Sequence, residues 1–190
     1  MGVRSKLDIS VLKGEVIDFV VVLAGESERA AVVLGAARLE TALEKLICRS
    51  MIPHPGGRDN LFDPERGLSS FLAKIAIAHR LGLIDREVER VLQLIRKIRN
   101  CFAHSIESER LSDAEHKNRL SEISRACEPI PMFQSFREAL VDEKKQNPEV
   151  AAFCAAMAVL IVALEVSAHV ASPPSVRSPA TFDPSTWRID

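Results

Sequence analysis

A chain of 190 residues, 47% apolar and 27% charged, is most simply one domain with a real core and a solvated surface. Its net charge of -1 and pI near 6.5 exclude a protein that coats nucleic acid by charge alone, though not a local basic site. Four widely spaced cysteines (Cys48, Cys101, Cys127 and Cys154) include no C-x-x-C pair, and read as reduced thiols of a cytoplasmic protein rather than a disulfide framework.

The elements predicted along the chain are helices: alternating strand patterns are scarce, tyrosine is absent, and Ala and Leu dominate the apolar positions. The first helix is expected over Ile9 to Leu23 and is broken by Gly25; acidic residues inside its apolar stretch argue against a signal peptide. Ser27 can cap a second helix to about Cys48, where Ala36, Leu39, Leu43, Leu46 and Ile47 recur at helical spacing. "MIPHPGGRDNLFDPERG" is loop by its Pro and Gly content.

"LSSFLAKIAIAHRLG" predicts a helix with Leu68, Phe71, Leu72, Ile75 and Ala78 on one face and Gly82 as its stop. Asp85 caps the next helix, which ends in "LIRKIRNCFAHSIE". Residues 107–127 read as a peripheral helix after a short break, and Phe133 to Lys145 as a short helix stopped before Pro148. A core helix from Glu149 to about Val170 follows. Its apolar run, Val150 to Leu164, is shorter than the roughly 20 residues a membrane span needs, so no membrane association is expected. Residues 1–170 thus form one helical domain, and 171–190, rich in Pro and Ser, a loose tail.

The stretch "LIRKIRNCFAHSIE" carries the chemistry. With Val88 at zero and about 100° per residue, Leu92, Ile95, Phe102 and Val91 form the core stripe. Arg99 falls near 20°, inside that stripe, whereas Asn100 near 120° and His104 near 160° share the polar face with Gln93 and Arg96. A buried arginine is costly, so Arg99 must snorkel out, meet a carboxylate or face a cleft. It lies about 140° from His104, and the two converge only if the helix ends or distorts between them, or if a second subunit completes the site across a two-fold axis.

An arginine offers a planar fork to phosphate, and a histidine at a helix C-terminus can act as general acid or base. Together they suffice for metal-independent RNA cleavage, in which the 2'-hydroxyl is the nucleophile. The plain alternative is that Arg99 pairs with a carboxylate on a neighbouring helix while Asn100 and His104 tie down the helix end. Cys101 and His104, three apart, do not make a zinc site; no metal or other cofactor is expected. His79 reads as a core or interface histidine, and His54 as a loop residue with nothing convergent nearby.

"RNCFAH" resembles the R-x4-H motif of the HEPN superfamily, small all-helical domains whose active members are dimeric ribonucleases. More of the chain resembles the bacterial mannitol operon repressor family. The likeness runs in order through "GESERAA" (Gly25 to Ala31), "LFDPERGLSSFLAKIAIAHRLGLI" (Leu61 to Ile84) and "IRKIRNCFAHS"; it departs at "ERGLSSF", where that family tends to have Gly-Pro-Leu.

The resemblance implies an all-α fold: an up-and-down bundle of four core helices, HEPN-like, with extra N-terminal and peripheral helices, working as a homodimer. It makes Arg99 and His104 the candidate catalytic pair. Asn100, Arg96 and Lys97 are candidates for binding phosphate, RNA or a partner; Glu28, Arg29 and Lys74 are candidate braces. The expected function is transcriptional regulation through a protein or RNA partner. Sequence-specific DNA binding is not expected, because nothing reads as a recognition helix. The alternative is a HEPN-type ribonuclease, and a third reading is a helical adaptor whose motif only holds a dimer together.

Overall fold

Capping residues set where the helices begin. In the computed structural model, which describes residues 9–54, 56, 60–105, 109–144 and 146–173, the Ser27, Ser70 and Asp85 side chains accept hydrogen bonds from the backbone N–H groups of Ala30, Ala73 and Val88. Asn147 accepts likewise from Glu149, and proline stands in the first turn of two helices, where its missing N–H costs nothing. The described residues form an all-α protein of seven helices: α1 (Ile9–Gly25), α2 (Glu28–Ser50), α3 (Phe71–Arg80), α4 (Arg86–His104), α5 (Ala114–Cys127), α6 (Pro131–Asp142) and α7 (Pro148–Val170).

The centre of the molecule is α7. Every residue from Val150 to Ile161 is buried, and α1, α2, α5 and α6 pack around it. At 23 residues α7 is longer than its fifteen-residue apolar run, and by length and composition it is apolar enough to cross a bilayer. Most of that surface faces the surrounding helices. Helix α2 approaches closely at Gly35, where an added Cβ would lie 3.1 Å from Cγ of Met157. Against this pair α4 packs on α2, with α3 and α5 at its sides.

Several boundaries and faces differ from expectation. Helix α5 starts only at Ala114, and residues 109–113 are not helical, because Asp113 turns back to accept from the Arg110 N–H at 2.8 Å. Leu72, placed on the core face of α3 by its spacing, is exposed, and Lys74 is buried there instead. With the helix starting at Phe71, the buried stripe is Phe71, Lys74, Ile75 and Ala78, and Leu72 lies about 100° from Phe71. From residue 174 onward the expected tail lies outside the described residues.

The end of α3 is a Schellman turn. Gly82 takes φ +68°, its N–H donates to the His79 carbonyl, and the Leu83 N–H donates to the Ala78 carbonyl, both at 2.9 Å. Gly82→Ala should cost about 1 kcal/mol, because a Cβ disfavours the left-handed backbone although the space around it is open; the midpoint of urea denaturation measures it.

Burial also divides the cysteines. It pushes the Cys127 thiol up to about 11, with Glu87 adding to the effect, and Cys154 up to about 12. Cys48 is exposed and Cys101 half-buried. A disulfide-exchange reagent at neutral pH should therefore label Cys48 and Cys101 in the native protein, and Cys127 and Cys154 only after unfolding.

Candidate functional site

The R-N-x-F-A-H block occupies the last turn and a half of α4, and the helix runs unbroken through it to His104. Of the two arrangements that would bring Arg99 and His104 together, a break in the helix between them does not occur. On that regular helix Phe102 points into the core, fully buried. Arg99 lies at the edge of the same stripe with 29% of its side chain exposed, facing α2. His104 is exposed on another face. Within one chain the candidate catalytic pair is therefore not brought together.

Arg99 meets a carboxylate. Its Nη2 lies 3.4 Å from Oε2 of Glu40 on α2, and the other oxygen of Glu40 accepts from Lys74 Nζ at 2.8 Å. Lys74 also pairs with Glu44, one turn further along α2, at 2.8 Å. Two cations from α3 and α4 thus close on an i, i+4 pair of acids from α2, and the cluster is neutral as a whole. Lys74 is 5% exposed. Burial alone lowers its pKa, but hydrogen bonds and charge from Glu40 and Glu44 outweigh that, so the ammonium is held above its ordinary value.

The chain leaving α4 is tied to the start of α2. Arg29 Nη2 donates to the Ser105 carbonyl, the cap of α4, at 2.8 Å, and Glu28 accepts from the Leu111 N–H at 2.7 Å. Leu111 is fully buried, so Glu28 satisfies a backbone donor that water cannot reach. Behind the block, the Phe102 ring lies 5.1 Å from that of His116 on α5. His116 is 2% exposed; its Nε2 meets Glu109 at 2.7 Å, while its buried Nδ1 has no hydrogen-bond partner among the described residues.

The other predicted binding residues diverge. Asn100 is half-buried, Lys97 is exposed, and Arg96 donates to the Gln93 side-chain oxygen at 3.0 Å. Neither Asn100 nor His104 makes a side-chain hydrogen bond or ion pair among the described residues, so no such tie to the helix end is seen. His79 is half-exposed at the end of α3, with Nδ1 3.3 Å from the Ile84 carbonyl and Nε2 3.5 Å from Glu89. His54 is exposed and its Nδ1 accepts from the Gly56 N–H. Among the described residues no group of three or more His, Cys, Asp or Glu side chains is placed to hold a metal ion.

Sequence reasoning missed Glu40, Glu44, Glu109 and His116, and also Glu165. That last carboxylate is 5% exposed on α7 and is held by Arg38 and Lys45 of α2. The signal for the first two was available: two cations in apolar stripes require acids, and Glu40 and Glu44 form an i, i+4 acidic pair beside buried Leu39 and Leu43. No family model, curated protein or solved structure matches the chain.

Proposed function

We propose that this chain is a regulatory helical domain of the kind its resemblance to mannitol operon repressors implies, lowering expression of a sugar operon through a protein or RNA partner. One observation carries the reading: Arg99 is engaged by the Glu40–Lys74–Glu44 cluster while His104 leaves an unbroken α4 by another face. In that arrangement the motif braces the packing of α2, α3 and α4, and leaves His104, Asn100 and Lys97 as a polar face for a partner. Arg90 pairs with Glu122, Arg119 with Glu115, Arg137 with Glu128, and Arg38 and Lys45 with Glu165. Cations engaged by carboxylates in this way are less available to a phosphate backbone. A homodimer belongs to this proposal.

The test has two arms. Deleting the gene should raise transcription of the target operon, and purified protein should show no operator-specific, salt-dependent binding to naked DNA. Unchanged transcription after deletion overturns the regulatory role; operator-specific binding overturns the indirect route.

A second reading is a metal-independent ribonuclease, favoured by the exposure of His104 at the end of α4. It requires a second copy to bring an arginine to that histidine.

A further inference from the structure

Helix α4 is acidic at one end only. Glu87 and Glu89 stand in its first turn, and from Arg90 to His104 the helix carries no carboxylate. Gln93, Arg96, Lys97, Asn100 and His104 share one face of its last three turns, within about 100° of one another. Arg96 donates to the Gln93 side-chain oxygen, but among the described residues neither Arg96 nor exposed Lys97 meets a carboxylate. The acids that neighbouring helices bring to the flanks of α4 are already occupied: Glu40 by Arg99 and Lys74, Glu115 by Arg119, and Glu122 by Arg90. The helix dipole favours cations in the last turn, but Arg96 and Lys97 lie about two turns before it, beyond that reach.

The donors on this face suit carboxylates carried by a peptide. Arg96 offers a planar fork and Lys97 an ammonium at one end; the His104 imidazole lies about 11 Å further along the axis, beside the residue whose carbonyl accepts from the Arg29 guanidinium. Between the two ends, the half-buried Asn100 amide is unbonded among the described residues and presents both a donor and an acceptor. A peptide backbone can use both, whereas phosphate oxygens only accept. Exposed Ala103 leaves room for a close approach. No aromatic ring stands on this face for a base to stack on, since Phe102 is fully buried.

We propose that this face of α4 binds an acidic segment of a partner protein. One carboxylate engages Arg96 and Lys97, a second about 11 Å away engages His104, and Asn100 bonds the backbone between them. The proposal rests on the regulatory reading above and gives the partner of that reading its chemistry.

Fluorescence anisotropy of a fluorescein-labelled oligoglutamate, titrated with the full-length protein at low ionic strength, tests it. The peptide should bind, and added salt should weaken the binding. Lys97→Glu turns an attraction into a repulsion and should weaken it about tenfold. Arg86→Glu, the same change of charge at the exposed start of α4, should leave it nearly unchanged. Absence of binding, or equal losses in the two variants, overturns the proposal. So does displacement of the peptide by oligouridylate at lower concentration than by unlabelled oligoglutamate, which assigns the face to RNA. The deletion experiment separates the two claims: raised transcription without peptide binding ends this proposal alone, and peptide binding with unchanged transcription ends the regulatory reading alone.

Discussion

Replacing Lys74 with methionine is expected to cost the fold about 3 kcal/mol. Methionine keeps most of the buried stem but removes the cation between Glu40 and Glu44, which remain one helical turn apart on α2 with no ammonium between them. Removing one partner of a fully buried pair costs roughly 3–5 kcal/mol; here Glu40 keeps Arg99 and Glu44 keeps some water, which places the loss at the lower end. Urea denaturation at neutral pH measures it. Adding Glu40→Gln and Glu44→Gln should recover much of the loss, since neutral amides do not repel one another. A cost of Lys74→Met below about 1 kcal/mol would remove the cluster from the account of what holds α2, α3 and α4 together.

The same substitution has a signature in pH. The folded-state pKa of Lys74 is raised above 10.5, so its contribution is fully present below that value and is lost as pH rises through the raised folded value. Cys127 and Cys154, raised from 9.0, add a loss that begins lower, as pH passes the value their thiols have in the unfolded chain. The difference between wild-type and Lys74→Met stability isolates the lysine: it should be constant to about pH 10 and shrink above it.

Phe102→Ala is the other large effect, a loss of about 3–5 kcal/mol from emptying a fully buried site between α4 and α5. The cavity would open against His116, whose ring it would leave without its aromatic neighbour. Exposed Ala103, next in the block, should accept serine within about 0.5 kcal/mol. The contrast separates two meanings inside one motif: Phe102 packs the core, and its neighbours do other things. Equal effects at both positions, read by denaturation midpoint, would mean that α4 is turned differently about its axis.

Much of this was legible in the sequence. Helix-period apolar spacing marks α2 and α4, serine and aspartate mark their starts, and Gly82 marks the stop of α3, because these signals are local. The wheel of α4 placed Arg99 in the core stripe and His104 off it, and the structure keeps both directions. What was not legible depends on residues far apart in the chain. Lys74 and Glu40 are 34 positions apart and Arg99 and Glu40 are 59, so periodicity says only that the cations need acids, not which ones. The exchange of Leu72 for Lys74 on the buried face of α3 follows from that pairing: with two carboxylates waiting on α2, lysine can take a place in the stripe that leucine would otherwise hold. His116 was hidden among charged residues of α5, where nothing local distinguishes a buried histidine from a solvated one.

The central claim is that the R-N-x-F-A-H block serves the packing of the bundle and a binding face, with Arg99 committed to Glu40. Incubating purified wild type and His104→Ala with RNA in EDTA tests it most directly. The account predicts that the two proteins leave the RNA equally intact over the same range of concentration. Cleavage by the wild type that His104→Ala abolishes would contradict it, and would mean that a second copy completes the site that one chain leaves open.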